Sequence, residues 1–188
     1  KMCLVLDLDE TLVHSSFDDL RAEPGVSLVT VPVVFSRGNE QSVKDVNVLR
    51  RPGLSEFLRS VGAVYEVVVF TASQAHYANP VIDAIDPSQV IKYRLFREHC
   101  IEEEHYIKDL SMLGRDLKST LIVDNLAVSY RLQPENGILC SDFIGDADDT
   151  ELYELIPLLE SLAQADDVRG ALAEHEIARG AGAAVANR

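Results

Sequence analysis

Apolar residues in this chain come as short unbroken runs, with stretches of helical spacing between them. "MCLVLDLD" (2–9), "YEVVVFTAS" (65–73), "STLIVDN" (119–125) and a weaker "GILC" (137–140) are the runs. Continuous Val, Leu and Ile content at strand length predicts strands covered on both faces, and so a parallel sheet. "RPGLSEFLRSVG" (51–62) places Leu54, Phe57, Leu58 and Val61 at helical spacing, with Pro52 near its start. Residues 73–85 read as a second helix, perturbed around Pro80. Residues 149–164 read as the strongest one: Asp149 or Thr150 caps it, and Leu152, Leu155, Ile156, Leu159 and Leu162 form its stripe. Strands alternating with helices imply an open α/β sheet.

One segment breaks the rhythm. "VSLVTVPVVF", "SRGNEQ" and "SVKDVNVL", within residues 26–49, predict a β-hairpin turning at Arg37-Gly38-Asn39. The insertion, about 18–49, follows the first acidic motif and would sit at the carboxyl edge of the sheet, beside any site there. The length of 188 residues fits one domain, read here as 1–176. Residues 177–188, mostly Ala and Gly without an apolar stripe, are expected to be a disordered tail.

Net charge is −14, from 17 basic and 31 acidic side chains, which argues against direct nucleic-acid binding. It leaves an anionic substrate open, because a local cluster of cations overrules the global field at short range. No run of 18 apolar residues offers a membrane span, and no signal peptide is visible. The three cysteines, Cys3, Cys100 and Cys140, form no C-x-x-C motif. They read as reduced structural thiols.

The first run ends on Asp7, with Asp9 two positions on. In an extended chain that spacing puts both carboxylates on one face. Two like charges at a strand tip need a cation or a shared proton. A hard divalent ion answers that need, and Mg²⁺ suits the all-oxygen donor set. D-x-D alone is a weak signal. Thr71 follows a second apolar run, Asp124-Asn125 a third, and Lys108 stands in the loop "HYIKDLSMLGRDL". Strand tips that deliver carboxylates and a hydroxyl, with a cation nearby, are the parts for phosphoryl transfer through an aspartyl-phosphate.

"DLDETLVHSSF", "RRPGLSEFL", "VVFTASQAHYANPV", "LFREHC", "YIKDLSMLGRDL", "LIVDN" and "DTELYELIPLLESL" resemble, in that order, the small phosphatases that act on the C-terminal domain of RNA polymerase II. They resemble the nuclear-envelope relatives of the Dullard type nearly as well. Both groups (FCP/SCP-like) belong to the haloacid dehalogenase superfamily. The resemblance implies a Rossmann-like core with a central parallel sheet and a small β insertion. It also implies a Mg²⁺-dependent protein serine/threonine phosphatase acting on phosphoserine in proline-containing segments. It gives Asp7 as nucleophile, Asp9 as general acid and base, Thr71 as a phosphate ligand and Lys108 as the clamp on the phosphoryl oxygens. It gives Asp7, Asp124 and the carbonyl of Asp9 as Mg²⁺ ligands, with Asn125 supporting that shell. Arg97 matches an arginine that contacts substrate phosphate. Phe17 and Tyr77 match aromatic positions of a proline pocket, which Val33 and Phe35 would complete from the insertion.

The implied partner is a phosphorylated protein or peptide, with the enzyme a monomer in nucleus or cytoplasm; attachment to the nuclear envelope through a further segment stays open. Two rivals also stay open: a binding scaffold of the Tim50 type, and a small-molecule phosphatase of the superfamily. The chain departs from the family pattern at Leu126-Ala127, where Ser-Pro is usual, and at Gln74, often apolar. Thr11 reads as a support for the motif loop, Asp109 as a local cap, His14, His76, His99 and His105 as structural or surface groups, and Arg50-Arg51 as either phosphopeptide contacts or surface or hairpin-edge residues. Asp142, Asp146, Asp148 and Asp149 resemble a metal site in composition only.

Overall fold

A computed structural model describes residues 1–175 and 177. Of the tail expected at 177–188, residues 178–188 lie outside the described ones. The elements in chain order are β1 (Met2–Leu6), β2 (Val13–Ser16), β3 (Ser27–Arg37), β4 (Glu40–Arg50), α1 (Leu54–Val64), β5 (Tyr65–Phe70), α2 (Ala75–Ile85), β6 (Ile91–Leu95), β7 (Ile101–Glu102), β8 (Tyr106–Ile107), β9 (Thr120–Asp124), β10 (Gly137–Leu139) and α3 (Glu151–Leu162). Five strands form a parallel sheet in the order β10-β9-β1-β5-β6, so the strand carrying the D-x-D motif is central.

Alternation within the apolar runs splits their side chains between two faces. Leu4, Leu6, Val67, Val69, Leu121 and Val123 join the main core with α1, α2 and α3. Cys3, Val5, Val68, Phe70 and Ile122 point the other way, into a smaller cluster with Leu110 and Tyr130. The two faces are therefore covered unequally: helices on one, short 3₁₀ turns at Leu110–Leu113 and Ala127–Tyr130 on the other.

The insertion is an antiparallel sheet in the order β2-β4-β3. Its β3–β4 hairpin pairs Arg37 with Glu40 across the turn at Gly38-Asn39. It begins earlier than the sequence suggests, because Val13–Ser16 pairs with Asn47–Arg50 as a third strand. The edge strand Ile91–Leu95 is also absent from the apolar pattern, since its Lys92 and Tyr93 face solvent.

The helix at 51–62 starts later, at Leu54, with Gly53 before it at φ 79°. A Cβ at Gly53 would approach the Tyr153 ring of α3 to 2.8 Å, so both backbone and packing call for glycine. Arg51 contradicts the surface reading. It is 1% exposed, and its guanidinium reaches Asp149 Oδ1 and Oδ2 at 2.8 and 2.7 Å, the carbonyls of Thr11 and Ser141 at 3.0 and 2.9 Å, and Ser141 Oγ at 2.7 Å. Asp149 also accepts from the Glu151 amide at 3.1 Å at the start of α3, so it joins helix and motif loop rather than forming a metal site. Arg50 bonds Ser55 at 2.8 Å.

Candidate active site

Three adjacent strands end in polar side chains at one edge of the sheet. Asp7 follows β1, Thr71 follows β5, and Asp124 closes β9. The ladder carries on past the strand ends through Asp7 N to Val123 O and Thr71 N to Leu95 O, both 3.0 Å, which fixes those backbones. Beyond Asp7 the chain turns sharply. Leu12 and Val13 amides both return to the Leu8 carbonyl, and Glu10 adopts a left-handed φ of 59°.

That turn gives the two carboxylates of D-x-D separate surroundings, so the shared face expected of an extended chain is not kept. Asp7 Oδ1 accepts from Lys108 Nζ at 2.6 Å, and Asp7 Oδ2 accepts from Thr11 Oγ1 at 2.9 Å. Lys108 also donates to Asp124 Oδ2 at 2.7 Å. Asp9 faces α2 instead: its Oδ1 accepts from the Tyr77 hydroxyl at 2.5 Å and its Oδ2 from Ser73 Oγ at 2.7 Å. Thr71 Oγ1 lies 3.5 Å from Asp9 Oδ2, a long contact, and accepts the Ser73 amide at 3.0 Å.

Lys108, 2% exposed, is anchored by its own amide to the Ser129 carbonyl at 2.6 Å. Burial pulls its pKa down, but Asp7 and Asp124 outweigh burial and hold it above the usual lysine value. Burial raises Asp124 from 3.8 to about 6, against the opposing pull of Lys108. Burial also raises Asp9, partly offset by the hydrogen bonds from Tyr77 and Ser73. One ammonium thus serves two buried carboxylates with a third nearby. This formal excess of two negative charges fits a divalent cation. Among the described residues no three His, Cys, Asp or Glu side chains converge on one point. Asp7 and Asp124, brought together on Lys108, are the carboxylates that could hold such an ion. Asn125 supports the loop, accepting from Thr11 Oγ1 at 3.3 Å and donating to Asp142 at 2.8 Å.

Next to Asp9 lies a cavity of about 260 Å³ walled by Phe17, Phe35, Tyr77, His76, Gln74 and Arg97 among others. Phe17 stacks at 5.7 Å from Phe35 and 6.5 Å from Tyr77, and His76 meets Phe35 edge-on at 4.9 Å. Val33 shares its strand face with Phe35, as the alternation predicts. It is nevertheless fully buried in the main core, and Val46 lines the cavity instead. Arg97 is exposed, bonds the Ala72 carbonyl at 2.7 Å and lies over the Tyr106 ring at 4.9 Å. No ion pair with Glu98 or Glu102 engages it.

Ser73 is the residue that sequence reasoning missed, and Arg51 the one it placed in the wrong role. Ser73 stands two positions after Thr71 in the same strand-tip turn, so the T-x-S spacing carried a signal. Thr11 supports Asp7, and Asp109 caps the turn at Leu110 by accepting from Ser111 N at 3.0 Å.

Comparison with known proteins bears on this geometry. Residues 2–169 match the family described as NLI interacting factor-like phosphatase. The chain is 50% identical over 172 residues to a probable C-terminal domain small phosphatase of Dictyostelium discoideum, covering 91% of this chain and 54% of that protein. It is 46% identical over 175 residues to human carboxy-terminal domain RNA polymerase II polypeptide A small phosphatase 2, covering 93% of this chain and 62% of that one. The structure of fission yeast Fcp1, an RNA polymerase II CTD phosphatase bound to beryllium fluoride, aligns with a TM-score of 0.63 at 20% identity, over 95% of this chain and 55% of that one. That likeness concerns the fold. The chain spans about half to three-fifths of the length of these relatives.

Proposed function

Because this chain belongs to the NLI interacting factor-like phosphatase family, we propose that it is a Mg²⁺-dependent protein serine/threonine phosphatase working through an aspartyl-phosphate on Asp7. Its substrate class is phosphoserine in a proline-containing segment, of the kind found in the RNA polymerase II C-terminal domain named for its relatives. One observation carries this reading. The two D-x-D carboxylates have opposite surroundings, Asp7 against a buried ammonium and Asp9 against two hydroxyls. Pairs of acids in contrasting environments are how one site supplies both a nucleophile and a proton donor.

In this mechanism Asp7, held by Lys108 at 2.6 Å, attacks phosphorus while Asp9 gives a proton to the departing seryl oxygen. Asp9 then takes a proton from the water that cleaves the aspartyl-phosphate. Lys108 meets the charge on the equatorial oxygens, where a fixed cation is most effective during transfer. Thr71 binds the phosphate from the neighbouring strand tip, and Arg97 guides it from the rim. Asp7, Asp124 and the Asp9 carbonyl, supported by Asn125, would hold Mg²⁺, which neutralises phosphoryl oxygens when bound. Phe17, Phe35 and Tyr77 would receive a proline, whose compact ring on a pre-ordered backbone loses little entropy on docking. Val33 backs that wall from the core rather than touching a ligand.

The test is Asp7→Asn. We expect a folded protein with no turnover of phosphoserine peptides and no labelling at residue 7 by a fluoroberyllate mimic, which should occupy Asp7 in the wild type. Normal turnover by the folded variant would overturn the mechanism. A wild type that binds phosphopeptides without hydrolysing them would favour the scaffold reading. Preference for sugar phosphates over peptides would point to a small-molecule enzyme.

A further inference from the structure

The hydroxyls on Asp9 sit on a segment that also walls the aromatic cavity. Ser73 lies in the strand-tip turn after β5, and Tyr77 on the first turn of α2. Each takes a different oxygen of the same carboxylate, at 2.7 and 2.5 Å. A carboxylate held by one donor can still swing about its χ angles; one held at both oxygens from one short segment cannot. The Tyr77 ring meanwhile stands 6.5 Å from Phe17 and forms part of the cavity wall. The same side chain therefore touches the proton-transfer group at its tip and the docking space along its body.

We propose that Ser73 and Tyr77 are positioning residues for proton transfer by Asp9, and that Tyr77 links filling of the aromatic cavity to that step. This rests on Asp9 being the general acid and base. A hydroxyl suits the task in both halves of the reaction, because it donates to a carboxylate and, after rotating its proton, accepts from a carboxylic acid. In the first half, the Asp9 O–H bond breaks as the proton goes to the seryl oxygen. At the same time the P–O(seryl) bond breaks and the Asp7 Oδ–P bond forms. In the second, water loses one proton to Asp9 while its oxygen bonds phosphorus and the Asp7 Oδ–P bond breaks. Inorganic phosphate leaves, and Asp7 and Asp9 return to their starting states. At both moments Asp9 must keep its direction while its charge changes, and two rotatable O–H groups allow that. A side chain docked on the Tyr77 ring restricts the ring, and with it the hydroxyl that holds the acid.

The consequence is a dependence on the leaving group. A phosphoserine leaves as an alkoxide of high pKa and needs the proton; para-nitrophenolate leaves readily without it. The test compares wild type, Asp9→Asn, Tyr77→Phe and Ser73→Ala on a series of aryl phosphates of rising leaving-group pKa and on a phosphoserine peptide. Tyr77→Phe keeps the ring, so peptide KM should hold within about twofold while kcat falls about tenfold. The fall in kcat/KM, which reports the half of the reaction in which the ester departs, should steepen along the aryl series in both Tyr77→Phe and Ser73→Ala, in the direction of Asp9→Asn. Wild type should turn over a cavity-filling proline peptide with a higher kcat than its alanine analogue, and Tyr77→Phe should narrow that gap. If Asp9→Asn shows no leaving-group dependence, the underlying assignment of the acid fails. If Asp9→Asn shows it while Tyr77→Phe and Ser73→Ala lose kcat/KM equally on every ester, or only raise KM, the positioning role fails. A proline-to-alanine gap in kcat that persists unchanged in Tyr77→Phe would overturn the link to the cavity.

Discussion

Arg51→Met should cost this protein more stability than any exposed substitution. The wild-type guanidinium is fully buried and makes five hydrogen bonds, two to Asp149, two to Ser141 and one to the Thr11 carbonyl. Methionine fills comparable volume but leaves the Asp149 side chain, 10% exposed, without its cation. Breaking a buried pair by removing one partner costs about 3–5 kcal/mol, because the remaining charge stays desolvated. For a chain of this size each kcal/mol moves Tm by about 2–4 °C, so the fall should be about 6–20 °C. Urea denaturation followed by circular dichroism measures the free energy. The companion variant Arg51→Met with Asp149→Asn removes the stranded charge while keeping an oxygen to cap Glu151. It should recover about 1–3 kcal/mol relative to the sum of the single changes. A loss below about 1 kcal/mol for Arg51→Met, or strict additivity in the double variant, would refute the claim that this pair joins α3 to the motif loop.

Three further outcomes follow from the site and the core. Lys108→Met should lower kcat by about 10²–10³ with a smaller change in KM, since its charge meets the oxygens as the phosphoryl group moves; a pure KM effect in steady-state kinetics would make it a substrate anchor instead. Turnover should vanish in excess chelator and return with Mg²⁺ but not Ca²⁺, whose larger and looser shell misplaces the nucleophile; full activity in chelator would contradict the site. Burial pushes the Cys3 and Cys140 thiols up to about 11, so at pH 8 only about one in a thousand is thiolate, the reactive form. Iodoacetamide should spare both in the native protein, label Cys100 first and reach all three in urea; peptide mapping that finds Cys3 modified as fast as Cys100 would show the core to be open.

The strands that carry the chemistry were legible because burial on both faces leaves unbroken apolar runs at residues 3–6, 67–70 and 121–123, and the break to Asp7, Thr71 and Asp124 marks each tip. Strand β6 was not, because an edge strand with Lys92 and Tyr93 in solvent has neither a continuous run nor a clean alternation. The insertion hairpin announced itself through its Gly-Asn turn. Strand β2 did not, since "VHSS" becomes a strand only through pairing with the far end of β4. Residue types at the site could be named from the motif, but their division into two environments could not. That division depends on the left-handed turn at Glu10, where the sequence shows no glycine. Arg51 illustrates the same limit. A charged pair next to a proline reads as surface or as a phosphopeptide contact until the partner of Arg51, 98 residues away, is known.

The central place of β1 has a consequence for how the molecule is made. Its strand partners are far along the chain: Met2 faces Tyr65, and Cys3 faces Thr120. At about 5–20 residues per second of synthesis, the second partner emerges about 6–23 s after Cys3. Throughout that interval an apolar strand ending in two acids has one neighbour at most. The later neighbour brings with it both Asp124 and, just before it, Lys108. Neither sheet closure nor the pairing of Asp7 with Lys108 can therefore precede synthesis of that later segment. Such long-range parallel pairing is intrinsically slow, and until it occurs the exposed "CLVL" segment is a natural client for a chaperone.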